Sequence, residues 1–126
     1  MSAQGITLDT GMLVALERRK QRAWELFHRA RQRGAPVTIP APVLGEWWRG
    51  RTDLGEAIIL AARVEALSET IARLAGEALA KVRGATTIDA FVMASAALRG
   101  DVVITGDVAD FGKLRAFFPG VRVLSI

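Results

Sequence analysis

The stretch TTIDAFVMASAALRGDVVITGD, residues 86–107, decides the fold of this chain. Its first part, 87–99, repeats apolar side chains at helical spacing, and its second part, 102–105, is a short run rich in β-branched residues. A helix that leads directly into such a strand is the repeating unit of a parallel α/β sheet. Each part also carries an acid, because Asp89 lies near the start of the helix and Asp107 follows the strand.

The rest of the chain repeats this alternation of short strands and amphipathic helices. The predicted elements, in chain order, are a strand at 5–8, helices at 10–16 and 17–33, a strand at 37–39, a helix at 43–48, a helix at 53–61 that begins with a capping box of Asp53 and Glu56, a strand at 64–67, helices at 69–83 and 87–99, a strand at 102–105, a helix at 109–117 and a strand at 121–124. Strands separated by helices predict an α/β fold in one domain, residues 1–126, with a mostly parallel sheet of about five strands and helices on both faces.

The composition is that of a globular domain and excludes several kinds of chemistry. Hydrophobic residues make up 51% of the chain and charged residues 24%. Cysteine is absent, so the chain has no disulfide, thiolate nucleophile or zinc–thiolate site. The single histidine, His28, lies on an amphipathic helix far in sequence from any acid or serine motif, which argues against a serine triad. No secretory signal and no membrane-spanning stretch is recognisable, so we expect a cytoplasmic protein.

Arginine dominates the basic residues. Lys and Arg together number 17 against 13 Asp and Glu, and 14 of the 17 are Arg. Its planar guanidinium suits phosphate, so a basic surface for a polyanion is one interpretation. A solvated basic surface, with arginine usage set by genome base composition, is an equally good one. Arg49 and Arg51 follow Glu46 closely in the sequence and are the candidates for contacts to phosphates.

Four acidic residues stand where a parallel sheet gathers a site. Asp9 and Asp107 follow strands, Asp89 opens a helix, and Glu46 lies among apolar residues on the helix after the second strand. Ligands of such sheets bind outside the carboxyl ends of the strands. Carboxylates placed there repel one another unless a proton or a hard cation such as Mg²⁺ or Mn²⁺ neutralises them. Each acid alone could be a helix cap or a solvated residue, but their joint arrangement favours a metal site.

Two threonines flank these acids. Thr10 follows Asp9, and Thr105 precedes Asp107 by two residues. Each hydroxyl could donate a hydrogen bond to a ligand carboxylate or to a phosphate oxygen, although threonines at strand ends are more often structural.

Three blocks of the sequence resemble PIN-domain ribonucleases and, more narrowly, VapC-type toxins of bacterial toxin–antitoxin pairs. The blocks are ITLDTGMLVAL at 6–16, PVLGEWWRG at 42–50 and TTIDAFVMASAALRGDVVITGDVADFGKL at 86–114. The resemblance implies that the acidic pocket binding Mg²⁺ or Mn²⁺ consists of Asp9, Glu46, Asp89 and Asp107. It also implies an endoribonuclease in which metal-activated water hydrolyses RNA phosphodiester bonds.

The resemblance extends to supporting residues and to partners. Thr105 matches a threonine that is frequent two residues before the last acid, and Asp110 stands where many members hold an acid. The family implies a homodimer neutralised by a VapB-like antitoxin whose C-terminal segment occupies the active-site groove. Two alternatives stay open: a PIN-fold RNA- or partner-binding module with weak or no catalysis, and a housekeeping PIN nuclease without a toxin role. Intact acids at all four positions favour catalysis.

Overall fold

The structure, a computed structural model, describes residues 4–126, so the first three residues of the predicted domain lie outside the described part. The described chain forms five strands and seven helices: β1 Ile6–Leu8, α1 Thr10–Glu17, α2 Gln21–Gln32, β2 Val37–Pro40, α3 Ala41–Trp47, α4 Asp53–Leu60, β3 Arg63–Glu65, α5 Glu69–Lys81, α6 Thr87–Arg99, β4 Val102–Thr105, α7 Val108–Leu114 and β5 Val123–Ser125.

All five strands are parallel and belong to one sheet with the order β3-β2-β1-β4-β5. Strand β1 is central, and its Ile6 pairs with Val37 of β2 on one side and with Val102 of β4 on the other. Because parallel crossovers are right-handed, this order puts α1 to α4 on one face and α5 to α7 on the other. The predicted α/β class and five-stranded parallel sheet are confirmed.

The predicted helix 17–33 is wrong at its start, because the chain turns between α1 and α2. Arg19 adopts a left-handed conformation with φ +58°. The backbone N–H of Lys20 donates to the carbonyl of Ala15 at 2.9 Å, which closes α1 as a left-handed C-terminal cap. The indole N–H of Trp24 donates to the carbonyl of Leu16 at 3.0 Å and holds α2 against this turn.

The predicted capping box at the start of α4 is also wrong. Thr52 is the N-cap, and its hydroxyl oxygen accepts a hydrogen bond from the backbone N–H of Gly55 at 3.0 Å. Asp53 is therefore the first residue of the helix rather than its cap. Position N3 is Gly55, so no capping box forms, and Asp53 and Glu56 are acids of the first helical turn, where negative charge is favourable.

Several predicted boundaries lie elsewhere in the structure. Strand β3 pairs from Arg63, earlier than predicted, and β5 begins at Val123, later than predicted, because these are the residues in register with Thr38 and Val103. Helix α5 ends at Lys81, after which the chain becomes extended. Pairing partners and chain turns set these boundaries, and neither is visible in a local apolar pattern.

The core lies on both faces of the central strands. Every residue of β1, β2 and β4 is buried, as expected for parallel strands covered by helices on both sides. The largest fully buried side chains come from the strands and from the helices that cover them. They include Leu8 of β1, Met12 of α1, Phe27 of α2 and Phe111 of α7. None of the helices in the described residues is both long and apolar enough to cross a membrane.

Candidate active site

Asp9 lies at the carboxyl end of the central strand and is the N-cap of α1. One carboxylate oxygen accepts from the backbone N–H of Met12 at 2.7 Å, and the other accepts from the hydroxyl of Thr105 at 2.5 Å. The residue is only 6% exposed. Burial raises the pKa of Asp9 from 3.8 to about 6, the two hydrogen bonds oppose this, and the charges of Asp89 and Asp107 add to it.

Asp89 lies in the first turn of α6 and is half-buried. Burial raises its pKa first of all, and a hydrogen bond with Thr86 lowers it. The charges of Asp110, Glu46 and Asp107 raise it further. The four predicted acids and Asp110 therefore lie within electrostatic reach of one another, although they come from distant parts of the sequence.

Thr105 is the residue that ties the two strand ends together. Its fully buried hydroxyl donates to Asp9 and accepts from the backbone N–H of Asp107 at 2.8 Å. Asp107 in turn caps α7 by accepting from the backbone N–H of Asp110 at 3.2 Å. The threonine thus orients one candidate ligand directly and the backbone of a second.

The two loops that follow β1 and β4 approach each other closely. A Cβ atom added to Gly11 would lie 3.2 Å from the backbone nitrogen of Gly106, which is tighter than an ordinary contact. The sequence pattern did not predict this approach, because each glycine is required only by its contact with the other, and the two are distant in sequence. Glycine at position 11 lets Asp9 and Asp107 come within electrostatic reach.

Glu46 joins the site through α1. The hydroxyl of Thr10 donates a hydrogen bond to its carboxylate. The side chain of Glu46 is otherwise exposed, while Val43 and Trp47 on the same helix are buried. The apolar neighbours of Glu46 in sequence are therefore the core face of α3, and the glutamate points away from that face toward the start of α1.

Arg49 and Arg51 are exposed on the loop between α3 and α4. They line a cleft whose walls include Glu17 and Trp48 and none of the four acids. Sequence reasoning put these arginines beside the metal site because they follow Glu46. It missed the cleft, which depends on the end of α1 and could not be found from local sequence.

His28 is exposed on α2, where its ring packs 5.4 Å from the ring of Trp24. It is absent from the groups that shift the pKa of Asp9 or Asp89.

The donor set fits a hard divalent cation in its chemistry. It consists of carboxylate oxygens with threonine hydroxyls beside them, which are the ligands that Mg²⁺ and Mn²⁺ prefer. Burial and, to a smaller extent, the neighbouring carboxylates raise the pKa values of Asp9 and Asp89, and a bound cation would oppose both effects. Within residues 4–126, no three Asp, Glu or His side chains lie close enough together to coordinate one ion in this conformation. Coordination would therefore involve rotation of these side chains toward one another.

Open parallel α/β sheets bind their ligands in the crevice outside the carboxyl ends of the strands, which is where these acids gather. The PIN domain model matches residues 6–115. The chain therefore belongs to the PIN-domain family.

Solved structures with the same fold include several toxin–antitoxin complexes. The chain is 19% identical to a chain of a DNA-bound VapBC complex from Salmonella typhimurium, covering 98% of both chains with a TM-score of 0.76. It is 12% identical to one of a VapBC complex from Rickettsia felis bound to promoter DNA, covering 96% of this chain and 98% of that one, also at 0.76. For a Klebsiella pneumoniae toxin–antitoxin complex the identity is 18%, the coverage 93% and 95%, and the TM-score 0.71. No curated protein matches the sequence.

Proposed function

We propose that this chain is a divalent-metal-dependent endoribonuclease, the toxin component of a toxin–antitoxin pair, with a PIN domain that extends over residues 1–126. The observation that carries the proposal is the buried Asp9, whose pKa is raised to about 6 partly by Asp89 and Asp107. A fold that holds mutually repelling carboxylates together at a ligand-binding edge is arranged for a function. Membership of the PIN family supports a nuclease.

Asp9, Asp89, Asp107 and Glu46 would hold the ion. A bound Mg²⁺ or Mn²⁺ supplies positive charge that lowers the pKa of the attacking water and stabilises charge developing on the phosphate. Asp9, with its pKa raised to about 6, can hold a proton in mildly acidic solution when no cation is present, and burial raises the pKa of Asp89 in the same direction.

Three side chains support these acids. Thr105 fixes the orientation of the Asp9 carboxylate, and Thr10 fixes that of Glu46. Asp110 adds negative charge next to Asp89 and makes an ion pair with Lys113 at 3.7 Å, which fits an outer position better than a ligand position.

RNA is the proposed substrate, and two exposed arginines suit a polyanion of this kind. Arg49 and Arg51 extend from the loop that directly follows the helix of Glu46. Exposed guanidinium groups contact the backbone phosphates of a polyanion without reading its sequence. They would position the strand while the acids act on one phosphodiester.

A VapB-like antitoxin and a second copy of the chain are the proposed partners. The similar structures are described as VapBC or toxin–antitoxin complexes, two of them bound to DNA. An antitoxin arginine directed at Asp9 and Asp89 would supply the positive charge that these acids lack, and so compete with the cation. We also propose a cytoplasmic location, since both the RNA substrate and the antitoxin of this protein would be found there.

The direct test is cleavage of a mixed RNA pool by the purified protein with Mg²⁺ or Mn²⁺. We expect cleavage that is lost with EDTA and lost in Asp9→Asn, which removes the charge but keeps a capping side chain. Glu77→Gln is the matched control, since Glu77 is an exposed acid on α5 outside the site. Cleavage that survives in Asp9→Asn would contradict the assigned site.

Two outcomes would favour the alternatives. A folded protein that binds RNA but cleaves none with either cation would indicate a PIN-fold binding module. Cleavage without toxicity when the chain is expressed without its antitoxin would indicate a housekeeping nuclease.

A further inference from the structure

A cleft separate from the acids opens between the end of α1 and the loop that joins α3 to α4. Its volume is about 280 Å³. Its walls include Glu17 from α1, Trp48 from the end of α3, and Arg49, Arg51 and Thr52 from the loop. The lining therefore combines an aromatic ring with two arginines.

The indole of Trp48 is half-buried and firmly placed. Its backbone N–H donates to the carbonyl of Leu44 at 2.8 Å and ends α3. The ring of Trp47 packs edge-on against it, with centroids 6.2 Å apart and an interplanar angle of 68°. A rigid aromatic ring that is half-exposed beside cations is the platform on which unpaired bases stack.

The two arginines are not engaged by acids. Arg49 donates from Nη1 to the backbone carbonyls of Trp48 at 2.7 Å and Gly45 at 3.3 Å, which holds its guanidinium at the C-terminal end of α3. In the described part of the chain neither Arg49 nor Arg51 forms a salt bridge. Both therefore keep guanidinium N–H groups for an incoming anion, and phosphate matches this geometry.

The shape of the loop is specified by glycines. Gly50 has φ +124°, a conformation that side-chain-bearing residues rarely adopt. A Cβ on Gly55 would lie 2.9 Å from the Thr52 hydroxyl and 3.4 Å from the Trp47 ring. The loop therefore packs tightly against α4, and its arginines start from a backbone of defined shape.

The cleft lies on the same pair of helices as the acids. Helices α1 and α3 contact each other through Thr10 and Glu46 on the acid side, and supply Glu17 and Trp48 to the cleft. Thr10 and Glu17 are the two ends of α1, about 10 Å apart along its axis. A single RNA strand whose phosphate lies at the acids can reach the cleft within a few nucleotides.

We propose that this cleft binds one unpaired nucleotide of the RNA, close to the phosphate that is cleaved. The base stacks on Trp48, and its phosphate is bound by Arg49 and Arg51. Glu17, the acid in the lining, accepts a hydrogen bond from a base amino group or a ribose 2′-hydroxyl, because it would repel phosphate. The inference rests on the proposed function for its substrate class, and it adds that the substrate is single-stranded beside the cleavage site.

Tryptophan emission tests the stacking directly. The chain has three tryptophans, so Trp48→Phe and Trp24→Phe are a matched pair, with Trp24 half-buried on α2. The protein is titrated in EDTA with a single-stranded RNA of about twelve nucleotides, which is within the usual range of single-strand site sizes. The same RNA in a duplex is the comparison. We expect the single strand to quench the wild type and Trp24→Phe, and to leave Trp48→Phe nearly unchanged. Equal quenching in both variants, or by the duplex, would overturn the proposal.

Affinity separates stacking from charge. Trp48→Leu should weaken binding of the single strand about tenfold, and Trp48→Phe only about twofold, because phenylalanine keeps a stacking face. Arg51→Gln should lower the slope of log affinity against log salt by about 0.7, whereas Arg31→Gln, an exposed arginine on α2, should leave it unchanged. Wild-type affinity in Trp48→Leu, with folding checked by circular dichroism, would overturn the proposal. Equal salt slopes for the two arginine variants would overturn it as well.

The outcomes distinguish this inference from the proposed function. Cleavage of the single strand with Mn²⁺ and no Trp48 quenching would refute the cleft and leave the nuclease standing. Trp48 quenching without cleavage would support the cleft and contradict the nuclease. Quenching by a C-terminal antitoxin peptide and not by RNA would assign the cleft to the partner and overturn the proposal.

Discussion

At the scale of single residues, the carboxylate of Asp9 both caps α1 and lies almost out of contact with water. Hydrogen bonds from Met12 and Thr105 stabilise its charged form, and burial destabilises it more strongly. A cap needs only a short polar side chain, and asparagine serves as well as aspartate. The negative charge is therefore a cost to folding at this position, and a cation or an antitoxin arginine is what would offset it.

This cost predicts an inverted pH dependence of stability. The folded pKa of about 6 lies above the unfolded value of 3.8, so the folded state binds more protons between these values. The stabilisation is fully present below pH 3.8 and is lost as the pH rises through 6. Raising this pKa from 3.8 to about 6 corresponds to about 3 kcal/mol. In EDTA, the free energy of unfolding of Asp9→Asn relative to that of the wild type should therefore rise by up to about 3 kcal/mol between pH 4 and pH 7. Urea unfolding at each pH measures this difference.

The difference between the two proteins isolates Asp9, since their other carboxylates are shared. A constant difference across this pH range would contradict the raised pKa of Asp9.

The hydrogen bond from Thr105 to Asp9 leads to a second prediction, on the direction in which the pKa of Asp9 changes when the hydroxyl is removed. Its hydroxyl lowers the pKa of Asp9, so Thr105→Val should raise that pKa further above its ordinary value. The acid limb of the cleavage rate, or the stability transition in EDTA, should move to higher pH. Thr105→Val should also cost about 1–3 kcal/mol, because the backbone N–H of Asp107 loses its acceptor. Thr105→Ser keeps the hydroxyl and is expected to stay close to wild type in the pH profile. A valine variant with an unmoved profile would show that the hydroxyl does not tune Asp9.

At the scale of elements, local patterns predicted the type of each helix and strand better than its limits. Helices α5 and α6 were predicted from their apolar spacing. In the structure Ser68 and Thr86 are their N-caps, and each side-chain oxygen accepts a hydrogen bond from a backbone N–H. The break between α1 and α2 was missed because no glycine marks it, and Arg19 takes the left-handed conformation instead. Such a turn depends on the tertiary contact of Trp24 with α1, which a local pattern does not contain.

A buried polar network joins the C-terminal end of α6 to the sheet. Asp101 accepts from the hydroxyl of Thr7 and from Nε of Arg99, both at 2.9 Å. Arg99 also donates to Thr7 at 2.7 Å and pairs with Glu65 of β3. The network therefore connects the end of α6 with β1, β3 and the start of β4. Its members are spread over the sequence, and its position beneath α6 was not predicted.

Removing one partner of this network should be costly. Asp101 is 6% exposed and the Arg99 side chain 13%, so Asp101→Ala leaves a largely buried guanidinium short of one carboxylate. We expect a loss of about 3 kcal/mol in the free energy of unfolding. Glu69→Ala breaks the exposed Arg73 pair, in which both side chains are more than three-quarters exposed, and should cost less than about 1 kcal/mol.

Chemical denaturation of both variants checks the comparison. Cleavage per folded molecule should stay at the wild-type level in both, because Arg99 and Asp101 lie at the C-terminal end of α6, whereas Asp89 lies in its first turn and Asp107 follows β4. Equal losses of stability in the two variants would show that the buried network carries no special weight.

At the scale of the whole molecule, the strand order is what assembles the site. Strands β1 and β4 are neighbours although Leu8, the last residue of β1, and Val102, the first of β4, are 94 positions apart in the sequence. They become neighbours because the chain crosses back over the sheet after β3. Sequence alone predicted that acids follow these strands, since a β-branched run ending in an acid is a local signal. It could not predict the close approach of Gly11 to Gly106, or the cleft formed by Glu17 and Trp48, because each brings together residues distant in sequence.

This assembly predicts that cation binding and folding are linked. Wild-type protein at pH 7.5 should unfold at a temperature that rises with the logarithm of Mn²⁺ concentration, because an ion that binds only the folded state stabilises it, by about 2.7 kcal/mol at a hundred times Kd. Asp9→Asn should unfold at a higher temperature than wild type in EDTA and gain little from Mn²⁺. The two proteins should therefore exchange rank as Mn²⁺ is added, which scanning calorimetry can follow. Glu77→Gln should follow the wild type throughout, since it removes an exposed acid outside the site. A parallel rise for all three proteins would mean that Mn²⁺ binds away from Asp9, and the assignment of the acids as a metal site would then be wrong.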